Sequence, residues 1–170
     1  VLLRDDGEEL RIVDAFVQEF DTPLCRRRAD LNQHAILLPA IEKFVAEKQP
    51  GGVAVWANLP SSATVNRFVK LPPVKDKEAL NLLNQEVETR IPIPLEELVM
   101  TRWIHSLDRE ASLGRPAVAS AAKKNLVAQR IDLLESCGLK IDGLQCDSNA
   151  LVNYAAYEFA SLWPDNAGDA

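Results

Sequence analysis

A chain of 170 residues with 47% hydrophobic, 26% charged and 6% aromatic side chains has the usage of an ordinary globular protein, with room for one compact domain or one carrying a smaller insert, and this excludes disordered, collagenous and membrane-embedded classes. The formal net charge of −6 repels nucleic-acid backbones and anionic lipid surfaces, so no nucleic-acid partner is expected. Three cysteines, Cys25, Cys137 and Cys146, form no C-x-x-C pair, which argues against a disulfide framework or zinc site and fits a reducing compartment.

No apolar run approaches the ~20 residues that cross a bilayer, and no basic segment leads into a signal core, so a soluble chain without direct membrane insertion is expected. Val1 to Phe20 reads as a hairpin, two β-branched runs around Asp6-Gly7, a dipeptide that supplies the positive φ of a tight turn. A start at Val1, directly in a strand, predicts a piece of something larger. Arg26-Arg27-Arg28 lacks the aromatic or further basic company of a nucleic-acid or lipid patch and reads as a solvated loop. Asp30 is a candidate cap for a helix with Leu37, Ile41, Phe44, Val45 and the stem of Lys48 at spacings of three and four, which Pro39 should kink or start late. Pro50-Gly51-Gly52 ends it, and VAVWANL is apolar enough for a central strand covered on both faces.

After the turn Leu59-Pro60-Ser61-Ser62, TVNRFVKL alternates Val65, Arg67 and Val69 against Asn66, Phe68 and Lys70 as a half-exposed strand. Asp76 is expected to cap the most periodic segment, a helix with Ala79, Leu80, Leu83, Val87 and Ile91 on one stripe. VMTRWIHSL is a strand, EASLGRP a loop, AVASAAKK a strand of small residues, and NLVAQRIDLLESCG a helix with Gly138 at its C-terminal cap and Leu139 as the cap's apolar contact. KIDGLQCD is a further strand. Ser148, or Asp147 before it, caps a last helix through Trp163 that Pro164 closes, and PDNAGDA frays. These elements predict a mixed α+β fold in which strand, helix, strand, strand, helix and strand from Phe68 to Asp147 form a module between pieces of another sheet.

The stretch QEVETRIPIPLEEL, from Gln85 to Leu98, begins as helix and then carries two prolines in three residues. Proline cannot donate the helical hydrogen bond and pushes the residue before it to extended geometry, so Arg90 to Pro94 must leave the helix as a stiff extended segment. Leu95 then returns to the core while Glu96 and Glu97 stay in water. Two roles fit such a segment, a rigid connector from helix to strand or a direct contact with a partner.

ANLPSSATVNRFVKLPP, the helix ending in QEVETRIPIPLEEL, AVASAAKKNLVAQRIDLLESCGLK and CDSNALVNYA together resemble the PilM family of type IV pilus assembly proteins, actin-like proteins grouped with competence proteins. The glutamate-rich helix followed by Ile-Pro-x-Pro-Leu-Glu-Glu is the most distinctive part, matched at Glu86, Glu88, Ile91, Pro92, Pro94, Leu95, Glu96 and Glu97; the likeness runs from about Val53 to Phe159. It implies a partial actin-like (ribonuclease H-like) fold: residues 1–62 as the first part of subdomain 1A, 63–140 as an inserted strand-helix-strand-strand subdomain 1C, and 141–170 as a return to 1A with a C-terminal helix. It implies a cytoplasmic scaffold of pilus assembly, peripheral to the inner membrane through a partner. That partner would be the N-terminal tail of the membrane protein PilN, held in a groove between 1A and 1C, alongside other pilus assembly proteins. Arg90, Ile91, Pro92 and Pro94 border the expected junction and are the candidate groove residues. The type II secretion protein GspL and the cell-division protein FtsA are actin-like alternatives, over which the Ile-Pro-Ile-Pro-Leu-Glu-Glu stretch favours the pilus family.

The resemblance implies that a full-length parent could bind or hydrolyse ATP with magnesium. This chain is expected to start after the family's first phosphate loop and stop before its second, and so to bind no cofactor and to be no enzyme. A phosphate cradle needs glycines that let backbone N–H groups converge on the anion, and none of the seven glycines is so placed. Asp6-Gly7 precedes Glu8-Glu9, Asp142-Gly143 has no threonine after it, and Gly51-Gly52 leads into a strand. His34 and His105 have no Cys or Asp at triad or metal-ligand spacing, and Asp108, Glu110, Glu96 and Glu97 read as solvated acids, so no catalytic residue and no metal ligand is assigned.

Overall fold

The computed structural model describes residues 1–5, 7, 10–21, 32–106 and 114–159. The expectations on Glu8-Glu9, Cys25, the arginine cluster, Asp30, Asp108, Glu110, and the helix end at Trp163 and Pro164 fall outside the described residues. Strands β1 (Leu2–Asp5) and β2 (Leu10–Asp14) pair antiparallel. In their turn Gly7 takes φ 86° and donates its N–H to Asp5 Oδ1 at 2.9 Å, the positive φ that glycine adopts without steric cost. Helix α1 (Asn32–Lys48) continues through Pro39, which is exposed, so the proline does not mark its start. The hairpin's exit lies against α1, with the Phe16 and Phe44 rings 6.0 Å apart and Lys48 Nζ 2.6 Å from Asp14 Oδ2.

Strand β3 (Val55–Leu59) pairs parallel with β7 (Ile141–Cys146), far along the chain. The apolar run was expected to be a central strand covered on both faces, yet Trp56 is 67% exposed, and among the described residues β3 pairs with β7 alone. The Trp56 indole instead lies over its cross-strand partner Gly143, where a Cβ would stand 2.4 Å from the ring. The Asp142-Gly143 pair thereby has a packing role: Asp142 Oδ2 accepts the Val55 N–H at 2.8 Å and glycine makes room for the indole.

Between β3 and β7 the chain builds a second, antiparallel sheet of three strands in the order β4 (Thr64–Leu71), β6 (Arg115–Lys123), β5 (Leu98–Ile104). Helix α2 (Asp76–Arg90) covers one face. The central strand offers Ala117, Ala119 and Ala121 to that face, and Ala79, Leu83, Val87 and Ile91, one every fourth residue of the helix line, are buried against them. Small side chains beneath let the helix approach closely, and each fully buried Leu or Val contributes roughly 1.5–3 kcal/mol. Leu80, expected on the stripe, is 40% exposed, since the buried line advances by four and leaves it on the flank.

The helix ends where the prolines require. Ile91 takes φ −107° and ψ 112°, its N–H still bonded to Val87 O at 2.9 Å, and a single 3-10 turn over Leu95–Glu97 leads into β5. Ile91 is buried, Leu95 half-buried on the core, and Pro92, Pro94, Glu96 and Glu97 exposed. Helix α3 (Lys124–Ser136) closes with Gly138 at φ 79°, the Leu139 N–H bonded to Leu134 O and the Gly138 N–H to Glu135 O, with Leu139 buried. That 6→1 and 5→2 pair is the glycine cap expected at this position.

Of the acids expected to cap a helix, the two that are described do not do so. Asp76 is the first residue of α2, and its carboxylate accepts from Arg115 Nη2 at 2.6 Å. Asp147 is the first residue of α4 (Asp147–Glu158) and turns back to the β3–β4 turn, accepting the Ser61 N–H at 2.9 Å and the Ser61 hydroxyl at 2.5 Å. These bonds, the hydroxyl's first, hold the Asp147 carboxyl below its ordinary value of 3.8.

Arg115 is 1% exposed. Its Nε and Nη2 donate to His105 O at 2.9 and 2.6 Å, and its Nη1 to Val74 O at 2.6 Å, so one guanidinium ties the ends of β5 and β6 to the β4–α2 connection. The Asp76 side chain is 89% exposed, so this ion pair is screened by water and the two carbonyls carry most of the bonding. Arg115→Met is expected to cost about 2–4 kcal/mol in urea unfolding, and Asp76→Ala under about 1 kcal/mol; equal losses would assign the role to the ion pair instead. A carboxyl with a depressed folded value stabilises the fold above its unfolded value and loses that contribution as pH falls through the folded one. Ser61→Ala should therefore lower the melting temperature at neutral pH and flatten its decline below pH 3.8, whereas an unaltered acid limb would exclude this pair as its source.

Candidate functional site

Pairing places every second residue of the three-stranded sheet on the face turned away from α2, in three rows across the strands. Phe68 pairs with Val118 and Val118 with Trp103; Asn66 pairs with Ser120 and Ser120 with Thr101; Thr64 pairs with Ala122 and Ala122 with Val99. This face is open. Phe68 is 77% exposed, Trp103 54%, and Val99 is exposed as well. Apolar and aromatic side chains gathered at one exposed place, unlike single scattered ones, mark a contact surface.

Opposite that face stand Leu144, Gln145 and Cys146 of β7 and Asn149, Val152 and Asn153 of α4, which with the sheet enclose a groove of about 620 Å³. Among the described residues no charged side chain lines it. At its base the two walls are joined by short polar contacts: Asn66 Nδ2 donates to Ser148 Oγ at 2.6 Å, and Asn149 Nδ2 to Ser120 Oγ at 3.4 Å. The Cys146 thiol, 3.7 Å from Asn66 Oδ1, is buried in the same joint. The Thr64 hydroxyl, also at the groove, is buried without a partner.

Arg90, Ile91, Pro92 and Pro94 do not line this groove. Arg90 is exposed and paired with Glu86 at 2.7 Å, a contact within one helix, and Ile91 is in the α2 core. Ile91, Pro92 and Pro94 come together with Glu88, Ile93, Leu95 and Glu96 around a shallow depression of about 380 Å³ at the end of α2. The groove residues that sequence reading did not single out are Phe68, Trp103, Asn149 and Asn153. One signal was present: alternation in TVNRFVKL already put Phe68 on the strand's wet side.

Neither histidine is among the residues that line the groove. His34 is exposed on α1, and His105 follows β5 with its ring 5.8 Å from Trp103, edge to face. Among the described residues no group of three or more His, Cys, Asp or Glu side chains could hold a metal ion, and no helix is long and apolar enough to cross a membrane.

No family model matches the sequence, and no curated protein does. Among solved structures the chain is similar to the PilM-PilN type IV pilus biogenesis complex, with a TM-score of 0.64 at 21% identity over 82% of this chain and 42% of that one. It is also similar to the cytoplasmic domain of EpsL, an inner membrane component of the type II secretion system of Vibrio cholerae, with a TM-score of 0.49 at 19% identity over 65% of this chain and 42% of that one. The chain thus spans less than half the length of the structures it matches. The first of these likenesses shows the fold, the mixed α+β architecture expected from the sequence.

Proposed function

We propose that this chain is part of a cytoplasmic scaffold of type IV pilus assembly, and that its open groove holds the N-terminal tail of a membrane partner of the PilN kind. The observation that supports the reading is the groove itself: a cleft with Phe68, Trp103 and Val99 exposed along one wall. A soluble domain keeps such a surface wet only at a cost, which burial against a partner reverses. Support for the partner's identity comes from the Ile-Pro-Ile-Pro-Leu-Glu-Glu stretch and from the fold of the PilM-PilN complex. Association with the inner membrane would run through that partner.

The chain works by binding and not by catalysis in this reading. Gly7 closes a hairpin, Gly52 a helix exit, and Gly143 lies beneath Trp56, so these glycines serve turns and packing. ATP and magnesium would belong to a longer parent. Titration calorimetry with ATP should give no binding heat, and a measurable affinity would overturn this part.

A fluorescein-labelled PilN tail peptide should bind the 170-residue chain in anisotropy. Phe68→Ala and Trp103→Ala, both at exposed sites, should each weaken it about 10- to 30-fold with little change in stability. Arg90→Ala and Pro92→Ala should leave affinity within about twofold, the scale of surface substitutions away from a contact. A larger loss at Arg90 or Pro92 than at Trp103 would move the contact to the end of α2.

A further inference from the structure

The prolines that end α2 also strip the helix end of donors. In a continuing helix the carbonyls of Glu88, Thr89 and Arg90 would receive the N–H groups four residues on. Pro92 and Pro94 have none to give, and the Ile93 N–H makes no hydrogen bond among the described residues. The last turn closes with the Ile91 N–H on Val87 O at 2.9 Å. Three carbonyls therefore stay open at the C-terminal end of the helix, where the aligned peptide dipoles concentrate partial negative charge.

A shallow apolar depression of about 380 Å³ lies at the same place. Ile93 and Leu95 line it, each half-buried on the core, together with the exposed Pro92 and Pro94. Glu88 and Glu96 line it too, both exposed, and neither forms an ion pair among the described residues. Arg90 is already bonded to Glu86 at 2.7 Å, and among the described residues no Lys or Arg lines the depression. Its apolar lining is thus bordered by negative charge that nothing described here neutralises.

We propose that the end of α2 is a second contact surface, which takes a Lys or Arg side chain of another protein on the open carbonyls, Glu88 and Glu96, while an apolar side chain beside that cation lies on Ile93 and Leu95. Charge complementarity selects this occupant. An ammonium or guanidinium only donates, so it answers carbonyls and carboxylates that only accept, whereas the phosphates of a nucleic acid or lipid would be repelled. The two prolines hold the segment stiff without a partner, so little conformational freedom is lost when it is covered. α2 packs on the face of the sheet turned away from the groove. The inference therefore does not rest on the groove reading.

The test titrates the isotope-labelled 170-residue chain with the peptide Gly-Arg-Ser-Leu-Ser-Arg-Gly, whose arginines and leucine share one face when extended. The amide signals of Glu88, Ile93, Leu95 and Glu96 should shift and saturate with a dissociation constant on the order of 0.1–1 mM, while those of Phe68 and Trp103 stay in place. Binding should weaken about 3- to 10-fold on the Glu88→Gln, Glu96→Gln double variant, and by a similar factor as salt rises from ~50 to ~300 mM. A peptide with glutamate in place of each arginine should not bind, and one with serine in place of leucine should bind about 3-fold more weakly. No saturable shift at the end of α2, shifts confined to the groove, or an affinity indifferent to reversed peptide charge would overturn the proposal. The reversed-charge peptide needs no altered protein, so the outcome does not hang on the folding of the glutamine variant.

Discussion

A three-stranded sheet has two faces, and α2 packs on one of them while the other is turned to the groove. The alanine row of β6 draws α2 to the face formed with Val65, Val69, Met100 and Ile104, and the helix's every-fourth-residue line fills the space above it. The unoccupied face then carries Phe68, Val118 and Trp103 into water. Core and groove are therefore opposite consequences of one packing choice: residues one position apart along β4 and β5 alternate between them.

Two devices fix that arrangement in place. At one end of α2 the buried Arg115 guanidinium collects carbonyls from two connections, so that helix entry, sheet edge and strand end are held together. At the other end Pro92 and Pro94 give the chain a single stiff route from Ile91 into β5. Against the β3 and β7 pair the module is held by smaller polar contacts, Ser61 with Asp147 and Asn66 with Ser148. A dry, well-packed unit thus meets its neighbour through a polar joint, and the groove opens above that joint.

What was legible in the sequence was local. The helix exit at Ile91, the glycine cap at Gly138 and the alternation of β4 follow from the chemistry of a few adjacent residues, and the structure reproduces each. What could not be read there depends on pairing across distance. Asp76 and Asp147 have the composition and position of helix caps, yet each is drawn to a partner across the fold, Arg115 and Ser61. Trp56 belongs to an apolar run that promised two covered faces, and coverage depends on which elements the rest of the chain packs against the sheet. The candidate groove lies in the same class: Phe68 and Trp103 stand in one row only because β6 sets the register of both its neighbours. The facing wall, where α4 brings Asn149, Val152 and Asn153, carries no motif that announces it.

The position of Trp103 has a practical consequence. An indole half open to water emits at a wavelength set by the mobile dipoles around it, and a chain laid across this wall would replace those dipoles with hydrocarbon and amide. Trp56, over Gly143 on the other sheet, would stay in its surroundings and supply a steady background. With Trp56 and Trp163 each replaced by phenylalanine, the emission of Trp103 alone should move toward the blue if the cleft fills, without any added dye.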